Sequence, residues 1–119
     1  NWTAIWTALL MRWSMEKKIQ YKVIVSDRAR QMLAGHVRFL AQKSPAAARR
    51  AKNDLMDAIR SLSIMPERFP FLTAEFIPLN KYHKMFVEKY YLVLYQIKDQ
   101  KVFVDYIVDC RQDYGWLVR

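Results

Sequence analysis

The spacing of hydrophobic and polar positions changes along this chain and divides it into a helical part and a strand-rich part. Between residues 27 and 62, apolar side chains recur every three or four positions, the period of a helix with one buried face. After residue 82, three short runs rich in aromatic and β-branched residues indicate strands, and a similar run at residues 21–26 precedes the first helix. The pattern therefore predicts the element order β-α-α-β-β-β.

Both predicted helices begin with strong start signals. Ser26 stands before a helix at residues 27–43, and Ser44-Pro45 opens a second helix that runs to about Leu62, because serine caps orphan amides and proline suits the first helical turn. The apolar stripes are Ala29, Leu33, Val37 and Leu40 on the first helix, and Ala48, Ala51, Leu55, Ile59 and Leu62 on the second. Such stripes suit an αα-hairpin, and His36 at the border of the first is interpreted as structural.

The remaining segments complete an α+β fold. Residues 65–82 carry three prolines among aromatic residues, which predicts a loop packed over the core. Lys98, Asp99 and Gln100 lie between the last two strand-like runs and predict a hairpin turn, although the usual glycine or asparagine is missing. We expect a two-helix hairpin packed on a small, mostly antiparallel sheet.

The first fourteen residues, NWTAIWTALLMRWS, differ in composition from everything that follows. They hold three of the four tryptophans and a single charged residue, Arg12. Because Trp2, Trp6 and Trp13 fall at helical spacing, one interpretation is an amphipathic helix that packs on the domain or on a partner. The favoured interpretation is an extension that is not native, with Met15 as the true first residue and residues 15–119 as a single domain.

Charge and cysteine content narrow the partners and the compartment. Twenty Lys and Arg residues against eleven Asp and Glu give a net charge of +9, which favours polyanionic partners such as nucleic acid or an acidic protein. Cys110 is the only cysteine, and with two histidines it offers too few ligands for zinc, so we expect a reducing, cytoplasmic compartment and neither a metal nor a cofactor. Since no apolar run approaches about 18 residues, no membrane span is expected.

Several of these pieces together resemble one known family. The segments KVIVSDRARQML, HKMFVEKYYLVLYQI and VDYIVDCRQDY, in this order and with a proline-containing loop between the first two, resemble the RelE/ParE superfamily of type II toxins over residues 19–118. In that family the third strand runs from an aromatic residue to a tyrosine, as Tyr91 to Tyr95 does, and the last strand ends at an arginine, here Arg111. The resemblance implies a toxin masked by an antitoxin with an acidic or amphipathic segment.

The superfamily uses two mechanisms, and the sequence leaves both open. One is ribosome-dependent cleavage of messenger RNA, which requires a proton acceptor, a proton donor and cations for the phosphorane. Arg111 is the candidate phosphate clamp, Tyr114 the candidate for base stacking or hydroxyl chemistry, and His83 the candidate acid or base. The alternative for Arg111 is an ion pair with Asp109 or Asp113.

Other cations and the last apolar residues complete the set of candidates. Lys81, Lys84, Arg49 and Lys52 are predicted to bind nucleic-acid phosphates. Trp116 and Leu117 are predicted either to anchor the C-terminal tail on the helices or to contact the antitoxin. The favoured function is an mRNA endoribonuclease acting on ribosomes. The alternatives are a ParE-type inhibitor of DNA gyrase without catalytic activity and a basic RNA- or protein-binding module that is not toxic.

Overall fold

A computed structural model describes residues 2–17, 20–75 and 77–111 of the chain. These residues form three α-helices, four strands and two short 3₁₀ turns. In chain order the elements are α1 (Trp2–Lys17), β1 (Lys22–Val25), α2 (Asp27–Lys43), α3 (Pro45–Arg60), the 3₁₀ turns Ser61–Ser63 and Pro66–Arg68, β2 (His83–Val87), β3 (Tyr91–Lys98) and β4 (Lys101–Asp109). From β1 onward this is the order that the sequence predicts.

The four strands form one mixed sheet in the order β1-β4-β3-β2. The two hairpins β2/β3 and β3/β4 are antiparallel, whereas β1 lies parallel to β4 at one edge. A parallel neighbour requires a crossover, and the α2/α3 hairpin supplies it. The α+β prediction of a two-helix hairpin on a small, mostly antiparallel sheet is confirmed.

The helices begin where the sequence places their caps. The Ser26 hydroxyl accepts the Ala29 amide at 3.0 Å, and the Ser44 hydroxyl accepts the Ala47 amide at 3.2 Å. Every residue of the predicted α3 stripe is buried, including Leu62, which lies in the 3₁₀ turn that follows the helix. On α2 the buried positions are Ala29 and His36, while the rest of the predicted stripe is half-buried.

The sheet has two covered faces, and a bulge in β4 sets which side chains reach each one. The helix face carries Tyr91, Val93 and Tyr95, which pack under α2 and α3. The loop face carries Leu92 and Leu94, which pack with Leu72, Ala74, Ile77 and Tyr82. Between Leu94 and Tyr95 the register shifts, so that Asp105 is the extra residue of β4. A bulge of this kind re-aims the side chains that follow it.

Side-chain hydrogen bonds tie the proline-containing loop to the sheet. The Tyr95 hydroxyl donates to the Pro66 carbonyl at 2.6 Å, and burial raises the pKa of this phenol to about 12. The His83 ring nitrogen Nδ1 lies 2.7 Å from the Phe69 carbonyl, and the imidazole stacks on the Tyr95 ring. Since a carbonyl only accepts, Nδ1 must carry the proton. The loop is therefore fixed over one end of the sheet.

Helix α1 crosses position 15, the predicted start of the domain. Residues 2–17 are helical, and Trp2 and Trp6 are 76% and 59% exposed. The interpretation as an amphipathic helix that packs on the domain or on a partner stays a prediction. Whether residues 1–14 are native stays a prediction. None of the helices in the part of the chain that the structure describes is long and apolar enough to cross a membrane.

Candidate functional site

Arg111, the best candidate from the sequence, lies directly after β4 and is bonded to Asp109. Its Nε and one terminal nitrogen lie 3.2 Å from the two carboxylate oxygens of Asp109, and its own backbone amide donates to the same carboxylate at 2.9 Å. Asp109 is buried, whereas 47% of the Arg111 side chain is exposed. This paired, two-pronged contact is the ion pair that the sequence left open as the alternative.

Two aromatic residues complete what we call the C-terminal cluster, formed by Arg111, Asp109, Tyr90 and Tyr91. The Arg111 guanidinium lies over the Tyr90 ring at 4.2 Å from its centroid. Tyr91 faces Asp109 across the β3/β4 pair, and burial, followed by the charge of Asp109, raises the pKa of its hydroxyl. The cluster therefore presents one half-exposed cation that leans on an aromatic ring.

An acidic pair lies beside this cluster and joins the turn between β2 and β3 to α3. Glu88 hydrogen-bonds to Asp54 of α3, and this bond is the main reason that the pKa of Glu88 is raised. Arg50 lies 4.0 Å from Glu88 and opposes that shift. Two carboxyl groups that share a hydrogen bond hold a proton between them more tightly than one exposed carboxylate does.

His83, the predicted acid or base, lies at the other end of the sheet. The register pairs His83 with Tyr95, whereas Arg111 follows the pair Tyr91 and Asp109, four positions further along β3. Four residues of a strand correspond to roughly 13 Å. His83 is also 7% exposed and packed between the rings of Phe71 and Tyr95. The structure therefore does not bring His83 and Arg111 into one cleft.

The cations predicted to bind phosphate fall on different sides of the sheet. Lys84 is half-buried on β2 opposite Leu94, on the loop face, and Lys81 is exposed just before it, with its ammonium over the Tyr82 ring. Arg49 and Lys52 are exposed on α3, which covers the helix face. These four residues do not form a single phosphate-binding surface.

The remaining candidates lie outside the described residues. Tyr114, Trp116 and Leu117 are among residues 112–119, as is Asp113. Their predicted roles in base stacking, tail anchoring and antitoxin contact stay predictions.

No side chain in the described part of the cluster is suited to remove a proton from an RNA hydroxyl. Asp109 is held by Arg111, and the Tyr91 phenol is kept protonated by its raised pKa. Burial, and then Asp109, raises the pKa of the Cys110 thiol as well. His36 reaches this region, but its Nε2 lies 2.7 Å from the Ile107 carbonyl and its ring is buried. Among residues up to 111, the cluster offers a cation without a base.

A groove on the opposite side of α2 runs toward the open edge of β1. One part, of about 300 Å³, lies between α2 and α3, and an adjoining part of about 330 Å³ lies between the helices and β1. The two parts share Arg30 and Leu33. Their apolar lining is Val23, Val25, Leu33, Ala34, Val37, Met56 and Ile59, and their cations are Arg30, Arg38, Lys52 and Arg60. An apolar floor with cationic rims fits an amphipathic segment that carries carboxylates.

The sequence of the chain matches one protein family over most of its length. The profile of the ParE toxin of the type II toxin-antitoxin system parDE matches residues 23–114. A solved structure, the chromosomal ParDE TA system from P. aeruginosa, superimposes with a TM-score of 0.61 at 11% sequence identity, over 77% of this chain and 98% of that chain. A search of curated protein sequences gives no match. The fold and the match define a type II toxin, and this chain belongs to the ParE toxin family.

Membership in this family implies an antitoxin partner and confirms the resemblance inferred from the sequence.

Some structural features could not be predicted from the sequence. The hydrogen bond between Glu88 and Asp54 joins a turn to a helix. Because the two residues are distant in the sequence, no local pattern predicts it. The pairing of Arg111 with Asp109 was visible as two opposite charges two positions apart. In the part of the chain that the structure describes, no group of three His, Cys, Asp or Glu side chains is placed to hold a metal ion.

Proposed function

We propose that this ParE-family toxin inhibits DNA gyrase by binding it and catalyses no reaction. The proposal rests on the ion pair between Arg111 and the buried Asp109. The guanidinium neutralises the buried carboxylate, and no side chain of the described C-terminal cluster is suited to act as a base. The adjacent Glu88 is already engaged by Asp54 and Arg50. The proposal agrees with the family match, since the ParE branch of the superfamily is the branch that poisons gyrase. The sequence alone favoured a ribosome-dependent ribonuclease.

The deciding experiment compares the two targets directly. Purified toxin is added to gyrase with relaxed plasmid and, separately, to translating ribosomes with mapping of messenger RNA 5′ ends. We expect supercoiling to stop while the messenger RNA stays intact. Cuts within translated codons, with normal supercoiling, would establish the ribonuclease instead. An absence of both effects, with harmless expression in cells that lack the antitoxin, would identify the chain as a basic binding module that is not toxic.

We also propose that the antitoxin covers the groove between α2, α3 and β1. Its apolar floor and its four cationic side chains suit an amphipathic segment with acidic residues, which is also the partner that a charge of +9 favours. Trp116 and Leu117 remain predicted antitoxin contacts. The groove lies on the helix side of β1, whereas Arg111 follows the far end of β4. An antitoxin bound in the groove would not contact Arg111, so antitoxin binding and toxicity can be tested with separate substitutions.

Two matched substitutions test the groove. Ala34 and Ala46 are both exposed helical alanines, but only Ala34 lines the groove. Ala34→Glu places a carboxylate on the apolar floor, one helical turn from both Arg30 and Arg38. It should weaken antitoxin binding by about tenfold or more, since it neutralises these cations and repels the acidic residues of the antitoxin. Ala46→Glu should leave binding unchanged. Isothermal titration with the cognate antitoxin measures both, and equal affinities would remove the groove from the interface.

A further inference from the structure

Three lysines lie side by side at the β3/β4 hairpin end of the sheet, and we call them the lysine row. Lys22 of β1 is paired with Lys101 of β4, and Lys101 is paired with Lys98 of β3. Residues that face each other across neighbouring strands project on the same side, so the three ammonium groups share one face. With strands about 4.8 Å apart, the row spans about 10 Å. All three side chains are exposed.

The row lies on the loop face, as the burial of its neighbours shows. Val102 and Val23, next to Lys101 and Lys22, belong to the core under the helices, so the lysines point the other way. The next row on the same face consists of Ile24, Phe103 and Gln96, and the first two are half-buried. A partly exposed aromatic ring therefore lies directly behind the three cations.

The charges of the row are not balanced by the residues that the structure describes. None of the three ammonium groups forms an ion pair with a described residue, although Asp99 lies in the turn between Lys98 and Lys101. The other carboxylate nearby, Asp105, is already occupied, because it accepts hydrogen bonds from Tyr82 and Gln96. Like charges directly opposite each other across strands are destabilising. An external anion would relieve this repulsion.

We propose that the lysine row and Phe103 bind the phosphate backbone of a single nucleic-acid strand. Three cations in line neutralise successive phosphates, and the exposed part of the half-buried Phe103 ring beside them offers a surface on which a base can stack. An acidic peptide would satisfy the cations but gains less from the aromatic ring. The proposal goes beyond gyrase inhibition and does not depend on it. It also concerns the end of the sheet opposite Arg111.

The test compares two triple variants that lose the same charge. Lys22→Gln/Lys98→Gln/Lys101→Gln removes the row, and the hairpin variant, Lys43→Gln/Arg50→Gln/Lys89→Gln, removes three exposed cations of the α2/α3 and β2/β3 hairpins that belong to no proposed binding site. Fluorescence anisotropy follows binding to oligothymidine, oligouridine and duplex DNA of about 12 units, between about 50 and 200 mM salt. The row variant should bind single strands about tenfold or more weakly, with the salt slope reduced by about 2. The hairpin variant should change little.

The outcomes separate the possible ligands. Stronger binding of oligothymidine or of oligouridine identifies DNA or RNA as the source of the backbone. Equal losses in both triple variants would reduce the effect to net charge and overturn the proposal, and so would tighter binding of duplex than of single strands. Competition by polyglutamate as strong as that by oligonucleotide would assign the row to an acidic protein. Phe103→Leu, which keeps an apolar side chain, should weaken only single-strand binding.

Discussion

The two ends of the sheet differ in whether their cations have an ion-pair partner among the described residues. At one end, the Arg111 guanidinium neutralises a buried carboxylate and rests on the Tyr90 ring. At the other end, the lysine row aligns three ammonium groups that have no ion-pair partner among the described residues. A paired cation contributes first to the fold, and an unpaired one costs stability and is available to a ligand. An arginine in a family motif therefore need not be the residue with the most freedom to bind an anion.

The largest effect should come from breaking the paired end. Arg111→Ala leaves the Asp109 carboxylate buried without its cation, and we expect a loss of about 2–3 kcal/mol in the free energy of unfolding, below the usual figure for a fully buried pair because Arg111 is half exposed. Urea unfolding measures the change. A second substitution, Asp109→Asn, should recover at least about 1 kcal/mol, since it removes the stranded charge. A cost below about 0.5 kcal/mol would show that the pair is not structural.

This expectation changes how a loss of toxicity would be interpreted. With Asp109 buried beneath Arg111, the single variant confounds folding with function. The double variant with Asp109→Asn separates folding from function. It removes the guanidinium and also the buried negative charge, so the buried site stays neutral. Toxicity of the stable double variant would exclude Arg111 from the toxic surface.

Sequence reasoning succeeded where the physical cause is local and failed where it is distant. Ser26 and Ser44 accept amides only three residues ahead, so their caps can be read directly from the chain. By contrast, the Phe69 carbonyl that holds His83 lies 14 positions away. Because this partner is distant in the sequence, His83 was predicted to be free to act as an acid or base. The two-residue turn brings Lys98 opposite Lys101. Lys22 joins them only through the parallel pairing of β1 with β4, which no short-range pattern specifies.

The second largest effect concerns the turn that aligns the lysine row. Asp99 and Gln100 have φ values of 53° and 62°, in the left-handed region that glycine adopts without steric cost. Gln100→Gly should stabilise the protein by about 0.5–1 kcal/mol. This is the strain energy that glycine removes from the left-handed position, less the entropy cost of ordering glycine, which is more flexible in the unfolded chain. Asp99→Gly should gain less, because aspartate tolerates this conformation. Thermal unfolding checks both, and a destabilised Gln100→Gly would contradict the assignment of strain.

A smaller effect tests the repulsion within the row. Lys101→Glu converts two unfavourable cross-strand neighbours into favourable ones, and we expect a gain of about 0.5 kcal/mol. Lys43→Glu is the matched control, since Lys43 lies in the last turn of α2, where a negative charge opposes the helix dipole and should destabilise. Unfolding at low salt and at about 1 M salt distinguishes electrostatics from packing, because the gain should vanish when charges are screened. A gain that persists in salt would point to a cause other than repulsion.

The smallest effect lies beside the C-terminal cluster, where Glu88 and Asp54 share a hydrogen bond. The bond to Asp54 raises the pKa of Glu88, so the folded state holds this proton more tightly than the unfolded state does. The contribution is therefore present below the ordinary pKa of glutamate and is lost as the pH rises through the raised value. Glu88→Gln donates the same hydrogen bond at every pH, and should remove a few tenths of a kcal/mol from the difference in unfolding free energy between acidic and neutral solution. Asp54→Asn should do the same. If either variant left the pH dependence unchanged, the proton would not be shared, and Arg50 alone would balance Glu88 at this end of the sheet.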